Sequence, residues 1–286
     1  MKSKLYFISS MLIFGSIGLI VKGIPLSSAQ IALIRGVIGS LFLLATGLIM
    51  KKRLSFKIIR GNFILLLLSS AALGFNWILL FEAYRKTTIT NATLSYYLAP
   101  VIVVFLSPFI FKERLTPKKV LCILSAMIGM ILVVQTGKAG GLHSEGLIGI
   151  GFGLGAAVFY AMVIIFNKLI KDMNGLETTI IQLTFATVIL IPYVLSQGTI
   201  PLGTLGSDAI IRLLLVGIVN TGLAYLLYFT SVQRLESQTV AILSYIDPIS
   251  ALIMSAIFIA EKISGLQLLG GILILGGAFI SGRDKH

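Results

Sequence analysis

The stretch "LSYYLAPVI", from Leu94 to Ile102, aligns with "ILSYIDPIS", from Ile242 to Ser250, when the sequence is shifted by 148 residues. The shift superimposes a tyrosine and a proline of the two copies: Tyr97 on Tyr245, and Pro100 on Pro248. The chain contains only seven prolines, so the pairing of two of them in one register is informative. The two stretches therefore predict an internal repeat.

The same shift extends the match on both sides without a gap. Upstream, "GFNWILLFEAY" from Gly74 falls on "GLAYLLYFTSV" from Gly222. Downstream, "FKERLTP", which contains Glu113, falls on "IAEKISG", which contains Glu261. The repeat therefore covers a large part of each half of the chain.

The composition places both copies in a membrane. Hydrophobic residues make up 57% of the chain and charged residues 12%, about half the charged share of an ordinary soluble domain. Ten apolar segments are each about long enough to span a bilayer as a helix, and their continuous apolar character argues against a β-barrel. The predicted spans are residues 5–21, 28–50, 62–83, 89–111, 117–135, 145–170, 176–196, 208–231, 237–260 and 265–281.

Five predicted spans fall in each copy, in residues 1–137 and 145–282. Because five is odd, the second copy enters the membrane from the opposite side, as in the inverted repeats of secondary transporters. The loop after predicted helix 2 carries five basic residues and its counterpart after helix 7 carries none, as opposite orientations require. The predicted fold is an all-α integral membrane protein with ten transmembrane helices in two inverted five-helix repeats.

Lysine and arginine residues in short loops favour the cytoplasmic side. With the N-terminus inside, the inner segments hold 16 of these residues and the outer segments hold five. Both termini are therefore predicted to be cytoplasmic, in a multi-pass protein of the plasma membrane. The net charge of +13 is explained by this topology, so no nucleic-acid partner is expected.

The ten-helix plan, the inverted repeat and the paired "AP…KERLTP" and "DP…AEKISG" stretches resemble the drug/metabolite transporter superfamily, and its EamA-like branch in particular. The resemblance implies a cavity between the two halves. It also implies export of small metabolites, often amino acids or related compounds. We therefore expect a secondary transporter that works by alternating access, with a small-molecule substrate and the lipid bilayer as its partners.

Asp247 is the most informative single residue, because an ionisable group deep in an apolar span is costly and usually functional. It either binds a proton or a substrate ammonium group, or forms an ion pair with Arg35 in predicted helix 2. Pro248 follows it and predicts a kink, because proline removes a backbone hydrogen bond and crowds the carbonyl four residues earlier. Pro100 predicts the same kink in the first half.

Polar and aromatic side chains within predicted helices 3, 4, 6, 8 and 9 are the other candidates for the cavity. The predicted substrate-binding residues are Asn76, Trp77, Tyr97, Tyr160, Tyr225, Tyr245 and Asp247. The predicted structural residues are Arg35, Pro100, Pro248, Glu113 and Glu261. Trp77 and Tyr225 occupy matching positions of the repeat, which suits two walls of one cavity.

Other patterns limit the chemistry. The single cysteine, Cys122, excludes an internal disulfide, and the two histidines offer no metal-ligand spacing. "GFGLGA" from Gly151 lies inside an apolar span with no preceding strand, so we expect no dinucleotide or other cofactor. "GGILILGG" from Gly270 favours either a homodimer contact or a contact between predicted helices 5 and 10.

Two other functions remain open from the sequence. A flippase for a lipid-linked sugar would share the same membrane architecture. A membrane-embedded enzyme is less favoured, because Asp247 is the only deep aspartate and an intramembrane aspartyl protease needs two.

Overall fold

A computed structural model describes residues 2–49, 56–112, 116–139, 144–232, 234–235 and 243–282. These residues contain no β-strand, and seven of their helical segments are long and apolar enough to cross a membrane. The helices are α1 Lys2–Gly15, α2 Ile17–Lys22, α3 Ser28–Ile49, α4 Phe56–Gly61, α5 Phe63–Lys86, α6 Ile89–Tyr96, α7 Ala99–Phe111, α8 Pro117–Ala139, α9 Ser144–Leu169, α10 Gly175–Ser196, α11 Ser207–Leu214, α12 Ala224–Val232, α13 Ile246–Phe258 and α14 Gly265–Gly282.

Three of the predicted spans are interrupted by a turn. Ser16 separates α1 from α2, and a turn at Tyr97 and Leu98 separates α6 from α7. A turn at Tyr245 likewise precedes α13. The last two breaks lie just before the paired prolines, where the proline ring would crowd the carbonyl four residues earlier. Asp247 therefore lies in the first turn of α13, directly after the break in the predicted ninth span.

The predicted eighth span contains an irregularity of another kind, which the sequence did not reveal. Residues Leu215–Leu223 form a π-helical stretch between α11 and α12. Within it, the Thr221 hydroxyl donates to the carbonyl of Val216, five residues earlier, over 2.8 Å. π-Helical turns are rare and occur often at functional sites.

Several helices begin at side chains that cap their first backbone N–H groups. Asn174 and Glu177 form a reciprocal capping box at α10. Ser27 and Gln30 exchange the same bonds at α3, over 3.0 and 3.2 Å. Ser264 caps α14 in the same way. These polar pairs end the apolar spans at defined residues.

The α8 and α14 helices pack so closely that glycine is required at the contact. A Cβ atom added to Gly129 would lie 2.6 Å from the Gly270 carbonyl oxygen, and one added to Gly270 would lie 2.6 Å from that of Gly129. A Cβ atom on Gly277 would lie 2.8 Å from the carbonyl oxygen of Cys122. Of the two expected uses of "GGILILGG", these glycines therefore serve the contact within the chain.

Glu261, which the sequence predicted as a structural residue, contacts the start of a helix in the other half of the chain. Its carboxylate accepts hydrogen bonds from the backbone N–H groups of Ile89, over 3.1 Å, and Thr90, over 2.9 Å, at the start of α6. A carboxylate is favourable there because the N-terminus of a helix carries partial positive charge. Nearby, the Gln267 amide donates to the Asn91 side chain over 2.8 Å. Glu113, the repeat counterpart of Glu261, lies outside the described residues.

The core forms where the two halves meet. The α5 helix packs against α9 and α10, while the π-helical stretch packs against α3 and α12 packs against α1. The central apolar cluster includes Phe81, Ile31 and Leu183, which are fully buried. These contacts surround the space described in the next section.

The Gly270→Ala variant is expected to destabilise the protein, because its Cβ atom would overlap a backbone oxygen that cannot move aside. Overpacking of this kind costs about 1–3 kcal/mol. Thermal unfolding of purified protein in detergent should show a lower midpoint. Gly276→Ala is the matched control on the same helix, because nothing lies within 4 Å of its added Cβ atom. Equal midpoints for the two variants would contradict the close packing of α8 on α14.

The Glu261→Ala variant is also expected to lower the unfolding midpoint, because two backbone N–H groups of α6 lose a charged acceptor. The cost should be about 1–3 kcal/mol. Glu145→Ala is the control, because the ion pair of Glu145 with Lys86 is exposed and such pairs contribute about 0–1 kcal/mol. A larger loss for Glu145→Ala than for Glu261→Ala would argue against the capping role.

Candidate functional site

A cavity of about 520 Å³ lies between the two halves of the chain. Its lining combines apolar residues with a ring of aromatic side chains and a few polar groups. The aromatic residues are Phe14, Trp77, Tyr84, Tyr96, Tyr97, Tyr160, Tyr225, Tyr228 and Phe229. A mostly apolar cavity with a few convergent polar groups is the usual form of a small-molecule site.

The aromatic rings pack against one another and form continuous walls. The ring centroids of Tyr96 and Tyr160 lie 5.2 Å apart, which joins α6 to α9. Across the cavity, Tyr225 stacks on Phe229 at 6.1 Å and meets the edge of Phe14 at 5.2 Å. Such walls offer apolar surface together with phenol hydroxyls, so they suit an amphipathic ligand.

Arg35 is the basic residue of the cavity lining, and only 4% of its surface is exposed. Its Nε donates a hydrogen bond to the Thr221 hydroxyl over 2.7 Å. The guanidinium carbon lies 4.6 Å from the centroid of the Trp77 ring and 5.6 Å from that of Phe81. The sequence predicted a structural role for Arg35, whereas the structure also places it at the surface of the cavity.

Asp247 is the acidic residue of the cavity lining. Its carboxylate accepts a hydrogen bond from the Tyr97 hydroxyl. Among the described residues, the ion pairs within 4.0 Å join Lys86 to Glu145 and Arg212 to Asp208, so Asp247 and Arg35 do not form the ion pair that was one of the expectations. The cavity therefore presents one basic and one acidic side chain that do not contact each other.

A polar cluster lies at another part of the lining. The Gln182 amide donates to the Ser69 hydroxyl and to the Asn167 side-chain oxygen. The sequence analysis did not identify Gln182 as a candidate, although its distance from the helix cap is a possible signal. Gln182 lies eight residues after the cap of α10 at Asn174, and Arg35 lies eight residues after Ser27, which caps α3. The two residues therefore lie equally far from the caps of their helices, which belong to different halves of the chain.

The cavity brings together most of the predicted site residues. Those at its surface are Arg35, Asn76, Trp77, Tyr97, Pro100, Tyr160, Tyr225 and Asp247. The Asn76 amide also donates to the Ala156 carbonyl over 2.7 Å, which fixes α5 against α9.

Besides the two glutamates described above, Tyr245 and Pro248 are not among the residues that line the cavity. Tyr245 packs its ring against Phe279, with centroids 5.5 Å apart, and Pro248 is buried in α13. The repeat explains the difference between Tyr97 and Tyr245. Tyr97 finds Asp247 as its acceptor, but the repeat counterpart of Asp247 is Ala99, which offers no side-chain acceptor to Tyr245.

Comparison with known proteins agrees with this arrangement. The model of the EamA-like transporter family matches residues 1–135 and again residues 147–283. An uncharacterized transporter, YxxF of Bacillus subtilis (strain 168), is 31% identical over 281 residues, which cover 94% of this chain and 85% of that protein. A probable amino-acid metabolite efflux pump of Salmonella typhimurium is 30% identical over 185 residues, which cover 62% of this chain and 61% of that protein.

A solved crystal structure shares the fold. It superimposes with a TM-score of 0.66 over 98% of this chain and 96% of the other, at 18% sequence identity. At this identity the similarity concerns the fold alone. The family model matches both halves of the chain, and relatives of the chain are named as transporters. The chain therefore belongs to the EamA-like transporter family of the drug/metabolite transporter superfamily.

Proposed function

We propose that the protein is a secondary transporter that exports a small zwitterionic metabolite, an amino acid or a related compound, by alternating access. The observation that carries this proposal is the cavity, in which Arg35 and Asp247 offer opposite charges without forming an ion pair. Relatives named as probable amino-acid metabolite efflux pumps support the same substrate class.

The cavity suits such a substrate in three respects. The terminal amino groups of Arg35 suit a carboxylate, and the Asp247 carboxylate suits an ammonium group. The aromatic walls suit an apolar side chain. The volume of about 520 Å³ lies within the range of about 300–1,000 Å³ that is usual for small-molecule sites.

The proposal includes ten transmembrane helices in two inverted repeats, at residues 1–137 and 145–282. Paired features support it. The shift of 148 residues superimposes Gly129 on Gly277 and Cys122 on Gly270. Gly129 contacts Gly270, and Gly277 contacts Cys122, so the same close backbone contact occurs twice. The family model also matches each half separately. An inverted repeat supplies the symmetry by which one cavity opens to either side in turn.

The proposed orientation places both termini in the cytoplasm and the cavity mouth at the inner side. The outer end of the cavity is closed, since Tyr84 and Thr93 are 4% and 2% exposed. Hydrogen bonds of Ser28 to Glu82 and of Arg85 to the Leu26 carbonyl lie at this end. Exposure of the lining residue Asn167 supports an opening at the opposite, inner end. An inward-open cavity suits uptake of a cytoplasmic substrate for export.

A flippase for a lipid-linked sugar is the alternative. An apolar groove between α5 and α9, lined by Phe75, Phe159 and Phe166 among others, would suit an acyl chain. The charged residues Arg35 and Asp247 line the central cavity and are absent from this groove. The central cavity is therefore the better candidate, and a soluble zwitterion is its better ligand.

The Asp247→Asn variant should fold normally, because asparagine still accepts a hydrogen bond from Tyr97 and Arg35 has its own partner in Thr221. Its counterflow of radiolabelled amino acids in proteoliposomes should fall about tenfold or more, because the substrate ammonium loses a charged acceptor. Asp208→Asn is the control, since Asp208 lies in an exposed pair with Arg212. Wild-type flux with an unchanged pH profile in a well-expressed Asp247→Asn variant would exclude the transport role.

Orientation is tested by cysteine labelling in a Cys122→Ala background. Lys57 and Gly203 are both exposed and lie in connections between spans that the proposal places on opposite sides. We expect an impermeant maleimide added to intact cells to label Gly203→Cys. Lys57→Cys should react only after the cells are made permeable. Labelling of both positions from the same side would contradict the inverted repeat.

A further inference from the structure

The contacts of Arg35 leave only part of its guanidinium group available for a ligand. The Nε atom donates to Thr221, and the face of the group lies over Trp77. The hydrogen bonds among the described residues involve no other atom of the Arg35 side chain. Because Arg35 lines the cavity, its two terminal amino groups are the donors left for a ligand there.

Thr221 is itself held in one orientation. A hydroxyl has a single hydrogen, and that of Thr221 is donated to the Val216 carbonyl over 2.8 Å. Its oxygen is therefore the acceptor for Arg35 Nε. The bond to a carbonyl five residues earlier belongs to the π-helical stretch, since in an α-helix a threonine hydroxyl reaches the carbonyl three or four residues earlier.

Two glycines allow Thr221 to approach Arg35 so closely. A Cβ atom on Gly39 of α3 would lie 2.4 Å from the Thr221 methyl carbon. A Cβ atom on Gly217 of the π-helical stretch would lie 2.5 Å from the Ile38 side chain. The two helices therefore meet through small residues at the level of the hydrogen bond to Arg35.

The fold itself does not require this arrangement, because the first half lacks it. The shift of 148 residues superimposes Leu73 on Thr221, and Leu73 lies in the continuous helix α5. Leucine offers no hydroxyl for such a bond. The π-helical stretch and its threonine are thus specific to the second half, where Arg35 lies opposite.

We propose that Thr221, held by the π-helical stretch, is a positioning residue that fixes Arg35 so that its terminal amino groups bind the carboxylate of the substrate in the cavity. This inference rests on the proposed function, and it adds that recognition of the carboxylate depends on a residue of the second half. Thr221 acts through Arg35 and does not itself bind the substrate.

The chain supplies its own reporter for this arrangement. Trp77 is the only tryptophan, it is 3% exposed, and the Arg35 guanidinium lies 4.6 Å from its ring centroid. The emission of an indole depends on nearby charge, so the fluorescence of the whole protein reports the position of Arg35. This readout requires neither a substrate nor transport.

The test uses Thr221→Val, which removes the hydroxyl at nearly constant volume, and Thr221→Ser, which restores it. Thr230→Val is the matched control, because the Thr230 hydroxyl bonds only to carbonyls of its own helix. We expect Trp77 emission without substrate to change in Thr221→Val and to match wild type in the other two variants. Unchanged emission in Thr221→Val would overturn the positioning role. Thr221→Ala is the replacement variant if Thr221→Val fails to fold.

The second readout is counterflow in proteoliposomes, with an amino acid and its decarboxylated amine as the probes. Thr221→Val should raise the KM for the amino acid about tenfold, with little change in maximal rate. The KM for the amine should stay unchanged. An equal rise for both probes indicates a general packing defect and overturns the inference. Absence of amino-acid flux in the wild-type protein would instead contradict the proposed function, whatever the fluorescence shows.

Discussion

A charged side chain inside the hydrocarbon layer costs about 2.5–3.5 kcal/mol on insertion scales, and the rest of the structure depends on how this cost is avoided. Arg35 and Asp247 both line the cavity between the two halves. Each has a neutral partner, Thr221 for Arg35 and Tyr97 for Asp247, and the aromatic face of Trp77 covers the guanidinium group. The two groups thus have separate partners within the protein and do not contact each other.

The breaks in the helices serve the same arrangement. The turn at Tyr97 and Leu98 comes just before Pro100 in the first half, and the turn at Tyr245 comes just before Pro248 in the second. Irregular backbone is tolerated at membrane depth where it is buried in protein or lines a cavity. The first of these breaks places the Tyr97 hydroxyl against Asp247. The matching positions in the sequence, Tyr245 and Ala99, form no such pair, so the site is asymmetric between the two halves.

Much of this architecture could be predicted from the sequence. Polar and aromatic residues are conspicuous in apolar spans, so Asn76, Tyr160 and Asp247 were predicted as site residues, and the structure places all three at the cavity surface. The helix contacts were harder to foresee. Hydropathy carries no information on a π-helical register, so the partnership of Arg35 with Thr221 was missed and an ion pair of Arg35 with Asp247 was considered instead. Gln182 was missed because its partners, Ser69 and Asn167, lie on other helices, and hydropathy does not show which helices are in contact.

The most direct test of alternating access is a pair of distance measurements between spin labels in a Cys122→Ala background. One pair, at Lys22 and Lys262, spans the two halves at the proposed outer side, and the other, at Lys112 and Arg234, spans them at the inner side; all four residues are exposed. With alternating access, a saturating zwitterionic substrate is expected to increase the population of long outer distances and to decrease that of long inner distances. Distances that stay constant, or that lengthen on both sides together, would contradict a single cavity opened in turn to each side of the membrane.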